Sequence, residues 1–289
     1  MKKMIALGLI LGLLLIGCTP KVSSENAALQ PAEQQDITTA RELEEFFVSG
    51  GSFARLNADI DMEDTMLKLT AERGSVKIIG NGHTIAGSAP CVIRMEDGCS
   101  IAFTGLSISA KQTGLGLLGS GTVAAEETAI NAQLNAIQAA GAVTVASASS
   151  LSLSGEEGSG ILALGFALGE DSLLTVSAAT AAINTGRGNI TLYPRAKAVL
   201  EAAGDNTLKT DGSLVLMEET VLEAANTGEH NGARIGALQA DASATINAKG
   251  GVNGVGLFVV ELFEDMTLKG FSEPDLKIEV GKGKLTFEE

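Results

Sequence analysis

Ile78–Ile108, IIGNGHTIAGSAPCVIRMEDGCSIAFTGLSI, is the stretch that decides the fold. Its apolar residues come in small packets: Ile78-Ile79, Thr84-Ile85, Cys91-Ile93-Met95, Ile101-Phe103 and Leu106-Ile108. Gly, Asn, Asp or Ser separates one packet from the next. Each packet suits one short strand and is too short for a helix.

The same texture runs on to Leu268. Val143-Thr144-Val145, Leu151-Ser152-Leu153, Ile190-Thr191-Leu192, Leu214-Val215-Leu216 and Leu257-Phe258-Val259-Val260 are further packets of strand size. Repeated strand packets with turns between them predict an all-β fold, a right-handed parallel β-helix whose coils stack apolar side chains on one another. Roughly 230 residues at about 22 per coil make about ten coils, and at about 4.8 Å per coil a rod of about 50 Å. The spacing keeps to no strict integer period. Glu127–Ala140, Arg195–Ala203 and Glu219–Ala225 are rich in helix formers. A mixed α/β fold therefore stays open, as does an antiparallel β-sandwich. Rungs are favoured because Ala129-Ile130-Asn131 recurs as Ala182-Ile183-Asn184 and Thr245-Ile246-Asn247. That recurrence predicts asparagines stacked at coil corners.

The ends read differently. Thr39-Ala40-Arg41-Glu42 fits a capping box, Leu43, Phe46 and Phe47 share one helical face, and Gly50-Gly51 stops the helix. Residues 38–50 are thus expected to be a capping helix over the first coil, since an open solenoid end exposes its core and a strand edge. The β-helix domain is read as 38–289. Its last coil or C-terminal cap is 271–289, where Leu276–Val280 and Lys284–Phe287 alternate.

The helix, then Gly51–Ile60 (GSFARLNADI), then Ile79–Gly87 (IGNGHTIAG) resemble the pectin-lyase-like superfamily of right-handed parallel β-helices, in particular its exported members of unassigned activity. The resemblance covers residues 38–110 and is one of texture beyond them. It implies parallel coils of roughly 20–25 residues. It transfers no activity, because this architecture carries many unrelated sites.

Lys2-Lys3 followed by the uncharged run Met4–Ile16 reads as a signal segment, residues 1–17. Leu15-Ile16-Gly17-Cys18 resembles a bacterial lipoprotein processing site, which implies cleavage before Cys18 and its acylation, palmitate included. Residues 18–37, with Pro20, Pro31 and Gln34-Gln35, are read as a flexible tether between lipid and folded body. The expected location is extracytoplasmic, anchored in a bacterial membrane at the cell envelope or surface.

Composition narrows the function. The formal net charge is −15, and the chain has 35 glycines, 5 prolines and 3% aromatic residues. So acidic a chain is a poor partner for nucleic-acid backbones, and no nucleic-acid partner is expected. No zinc-finger, P-loop or Rossmann spacing occurs.

Acidic pairs recur before apolar strands: Glu63-Asp64, Glu96-Asp97, Glu126-Glu127, Glu156-Glu157, Glu170-Asp171, Glu218-Glu219 and Glu264-Asp265. In superimposed coils such pairs would lie about 5 Å apart, a repulsion that Ca2+ or a basic partner would relieve. The bland reading is solvated corners. Asp59, Asp61 and Asp64 are the densest carboxylate cluster and the weak candidates for metal or acid–base work, with Arg55 nearby. His83 and His230 are isolated. Cys91 and Cys99 read as small inward-facing hydrophobes on neighbouring strands, and export would also allow them a disulfide. Lys111, Arg187 and Lys209 are scattered, and Arg195 with Lys197 is the most enzyme-like basic pair.

No catalytic residue is assigned and no cofactor is expected beyond the Ca2+ option. The reading favours a membrane-anchored structural or adhesion/binding protein. Its partners would be the bilayer, through acylated Cys18, and a glycan or protein at the cell surface. The alternative is a polysaccharide-binding or polysaccharide-cleaving β-helix, lyase or hydrolase. Against that alternative, the chain has no Trp and one Tyr, Tyr193, so flat sugar-stacking surfaces are scarce.

Overall fold

A computed structural model describes residues 34–49, 51–241 and 243–250, together with the backbone of 255–262, 266–269 and 285–288. Three strands make each early coil. Ser75–Ile79, Thr84–Gly87 and Cys91–Met95 form one, and Ser100–Thr104, Ser107–Ala110 and Thr113–Leu117 the next. Every strand pairs in parallel with its counterpart one coil on: Ile78 with Phe103, Ile85 with Ile108, Ile93 with Leu115. The result is a right-handed parallel β-solenoid with three faces.

On the second face the stack runs Ile60, Ile85, Ile108, Ile130, Leu153, Val176, Leu200, Ala224, Ala248, in steps of 22 to 25 residues. This face holds eleven strands among the described residues, close to the expected ten coils. From Leu208 the third and first faces merge. Leu208–Leu216 and Ala233–Ala240 run through the corner between them, with a register shift between Thr210 and Ser213.

Period-2 alternation buries one side of each strand. Leu151 and Leu153 are 2% exposed, whereas Ser152 between them faces out. The rival helical segments are strands for the same reason. Thr128–Ala132, Lys197–Ala202 and Val221–Asn226 each alternate buried and outward residues. Their helix propensity is a weak bias that coil-to-coil pairing overrides.

The corners explain why the coils register. Between the first and second faces six successive coils each place one residue in the left-handed region: Gly105, Glu127, Ala148, Asp171, Arg195 and Glu219, with φ between 46° and 59°. That geometry costs a non-glycine residue about 1–2 kcal/mol. It is held by backbone bonds to the next coil. Ala148 N–H donates to Glu170 O at 2.8 Å, and Arg195 N–H to Glu218 O at 2.9 Å. Just inside, buried hydroxyls stack. Ser172 Oγ accepts from Ser149 N–H at 3.1 Å and donates to Ala146 O at 2.9 Å. The corner between the third and first faces is tighter. At Gly188 a Cβ would lie 1.5 Å from the Leu164 carbonyl oxygen, so only glycine fits.

Ala40–Ser49 is the only helix among the described residues. Its capping box forms as expected: Thr39 Oγ1 accepts from Glu42 N–H at 3.3 Å, and Glu42 Oε2 accepts from Thr39 N–H at 3.0 Å. Leu43, Phe46 and Phe47 are buried in the core cluster. The two rings meet edge to face at 5.7 Å. Arg73 lies 5.8 Å from the Phe46 ring centre and donates to Phe46 O and Gly51 O, each at 2.9 Å.

The solenoid starts before this helix. Gln34–Ile37, read as the end of a tether, pairs in parallel with Phe53–Leu56 and buries Ile37 completely. Asp36 is bound to Arg55 at 2.9 Å. QQDI carries a single apolar residue, so nothing in its pattern announces a strand. At the other end Leu285–Glu288 pairs in parallel with Met266–Lys269, as a further coil would. The signal segment, residues 18–33 and the segment 270–284 lie outside the described residues.

Candidate functional site

The carboxylates are engaged at corners rather than gathered in a groove. Asp59 Oδ1 accepts from Thr84 N–H at 2.9 Å and faces His83 Nδ1 at 3.3 Å. The Thr84 amide first, and then His83, hold the Asp59 carboxyl below its usual range. Asp61 Oδ1 accepts from Glu63 N–H at 2.9 Å, which braces Glu63 at φ 50°. Asp64 is exposed beside them. Among the described residues no group of three or more His, Cys, Asp or Glu is placed to hold a metal ion. His230 sits in the turn after Asn226, its N–H donating to Asn226 Oδ1 at 3.2 Å.

The acidic pairs do not superimpose at one coil spacing. Glu126-Glu127, Glu170-Asp171 and Glu218-Glu219 share the corner between the first and second faces, but Ala148 and Arg195 occupy the coils between them. The acid therefore returns every second coil, about 9.6 Å apart. Glu63-Asp64, Glu96-Asp97 and Glu156-Glu157 fall on other corners, and Glu264-Asp265 lies outside the described residues.

Arg195 turns one acidic coil into a clamp. Its Nε and Nη2 meet Asp171 at 2.6 and 2.8 Å, and Nη2 also meets Glu170. The guanidinium holds the Asp171 carboxyl below the usual carboxylate range. Lys197 reaches the opposite way along the stack, to Glu223 at 2.8 Å. The most enzyme-like basic pair is thus divided between two neighbouring coils. Lys209 is paired with Asp205 at 2.6 Å.

Cys91 and Cys99 are free, buried thiols, as small inward-facing hydrophobes would be, rather than the disulfide that export would also have allowed. Cys91 Sγ lies 3.3 Å from Met66 Sδ, before the strand Leu67–Leu69, and Cys99 Sγ lies 3.6 Å from Leu69 O, at its end. The intervening strand Cys91–Met95 alone spans about 13 Å, well beyond the roughly 7 Å limit between bridged Cα atoms. Cys99 joins the core cluster, and Cys91 lines a surface hollow. The three asparagines of the recurring triplet do not stack either. Asn131 and Asn247 are mid-strand on the second face, and Asn184 is on the third. Other asparagines do join successive coils: Asn135 Oδ1 accepts from Ser159 N–H at 2.9 Å, Asn189 Oδ1 from Ser213 N–H at 3.0 Å, and Asn206 Oδ1 from Asn231 N–H at 3.3 Å.

The site that sequence reading missed is on the third face. Register there aligns Lys68, Arg94, Gly116, Gln138, Leu162, Asn184, Lys209 and Arg234 in one outward column. Lys209 and Arg234 pair with Asp205 and Asp211. Lys68 and Arg94 form no ion pair with a carboxylate among the described residues. Where Gly116 separates Arg94 from Gln138, the absent side chain opens a hollow of about 310 Å³ walled by Pro90, Cys91, Leu118 and Ala140. A Cβ at Gly116 would lie 3.0 Å from Cys91 Sγ. Asn135 Nδ2 donates to Gln138 Oε1 at 3.2 Å, which leaves the Gln138 amide nitrogen as a donor. A larger hollow of about 490 Å³ on the second face is lined by Glu201, Glu223 and Lys249, where acids and cation offset one another. The only sequence signal for the third-face column is spacing: Arg94, Gly116 and Gln138 are each 22 apart.

Fold and site together define a three-faced parallel β-solenoid with several carboxylates tied to corner amides and a cationic hollow on its third face. No family model matches the chain, and no curated protein matches it. A solved structure described as L. reuteri 53608 SRRP is similar over 88% of this chain and 100% of that chain, at 12% identity and a TM-score of 0.38.

Proposed function

We propose that the chain is an exported lipoprotein of the pectin-lyase-like superfamily, held at the cell envelope by acylated Cys18, with a non-catalytic structural or adhesion/binding role. The observation that carries this reading is the contrast between corners and faces. At the corners several carboxylates cap backbone amides or pair with cations, as Asp59, Asp61, Glu96, Asp97 and Asp171 do. The outward residues of the second face are uncharged over the middle coils. On the second face Ser107 and Ser109 are followed by Ala129 and Asn131, then Ser152 and Ser154, then Thr175 and Ser177. Such faces suit contact with a partner surface and offer no nucleophile paired with a base. The lipid anchor rests on Lys2-Lys3, the apolar run and Gly17-Cys18.

Two measurements test the reading. Cells expressing the full chain are fed an alkyne fatty acid and fractionated. The wild type is expected to be labelled and membrane-bound, and Cys18→Ser unlabelled and released. An unlabelled wild type ends the anchoring claim. The purified protein is then screened on glycans and surface proteins. Binding without turnover supports the non-catalytic role, whereas release of oligosaccharide from a polysaccharide transfers the weight to lyase or hydrolase chemistry.

A further inference from the structure

We infer that the slot between Arg94 and Gln138 on the third face binds the terminal carboxylate of a peptide that ends in small aliphatic residues. This holds whether or not the chain is lipid-anchored. Lys68 and Arg94 are register partners on adjacent strands, so their backbones lie about 4.8 Å apart and two like charges stand side by side along the stack. An anion bound beside them removes that repulsion. The nearest carboxylates do not serve: Glu96 Oε2 accepts from Ala71 N–H at 2.8 Å, and Asp97 Oδ1 from Ser120 N–H at 2.7 Å. Across Gly116, Gln138 presents its amide nitrogen. The slot is therefore flanked by donors on both sides. A guanidinium fork fits a carboxylate bidentately.

The walls select the body that carries the carboxylate. Pro90, Leu118 and Ala140 are aliphatic and outward, and Leu118 is 56% exposed. They receive methyl-sized groups and give a sugar ring no aromatic face to stack on. The volume of about 310 Å³ is at the small end for ligand sites and suits about two residues. The net charge of −15 disfavours a polyanion and tolerates a single carboxylate.

The test is calorimetric titration of the full chain with N-acetyl-Ala-Ala as the free acid, with its C-terminal amide, and with galacturonic acid. The free acid is expected to bind saturably, and the amide at least about tenfold more weakly. Arg94→Gln should lose at least about tenfold in affinity without lowering the melting temperature, and Arg94→Lys should fall between. Gly116→Val should fill the slot and abolish binding. If that variant fails to fold, Arg94→Gln decides alone. The inference is overturned by absence of saturable binding, by equal affinity for acid and amide, by galacturonic acid binding as tightly as the peptide acid, or by binding that survives Arg94→Gln.

Discussion

Two glycines in this solenoid are constrained in opposite ways. Gly188 has ordinary backbone geometry but no room: a Cβ would sit 1.5 Å from the carbonyl oxygen of Leu164 on the coil below. Gly82 has φ +82° and nothing within 4 Å. Gly188→Ala must therefore push two coils apart at their tightest corner, and it is expected to cost about 3 kcal/mol or more. Gly82→Ala meets only backbone strain, about 1–2 kcal/mol. Paired denaturant melts check the ranking, and a Gly188→Ala variant as stable as wild type would refute the packing at that corner. The same scale shows why the site was hard to read. A residue's neighbours along the stack are 22 to 26 positions away. Nothing near Arg94 in the sequence reveals that Lys68 and Gln138 flank it with Gly116. Conversely, Cys91 and Cys99 are only eight residues apart in the sequence, and an extended strand separates them.

The helix Ala40–Ser49 was fully legible, because its cap, its apolar face and its terminating glycines are local signals, and local signals survive the absence of coordinates. The strand before it was not, since Gln34–Ile37 owes its structure to pairing with Phe53–Leu56 and to burial of Ile37 alone. The three-strand coil was legible in outline from short apolar packets. Its period was not, because corner lengths vary and the left-handed position is filled by Glu, Ala, Asp or Arg as readily as by Gly. If the helix covers the first coil, Phe46→Ala removes a ring packed on Phe47 and under Arg73. The expected loss is about 3–5 kcal/mol. In a quasi-one-dimensional stack that loss is local. Hydrogen exchange should show protection falling first in Gln34–Ile37 and Leu67–Leu69, the strands the helix packs on, with Lys197–Ala202 unchanged. Uniform loss along the chain would mean that the helix is not an end cap.

At the scale of the whole domain, everything rests on coils climbing one axis in register. The second face supplies a column for measuring that climb, since Ser109, Asn131, Ser154, Ser177, Glu201 and Ala225 are successive register partners. The hollow on the third face, the alternation of acidic corners and the hydroxyl-rich second face all inherit their geometry from this stack. A spin label at Ser109 is paired in turn with one at Glu201 and one at Ala225, with the native cysteines replaced. Pulsed dipolar spectroscopy should give backbone separations of about 19 Å and about 24 Å, a step of about 4.8 Å for the added coil. Separations that fail to grow from Glu201 to Ala225, as in a chain folded back into facing antiparallel sheets, would contradict the solenoid.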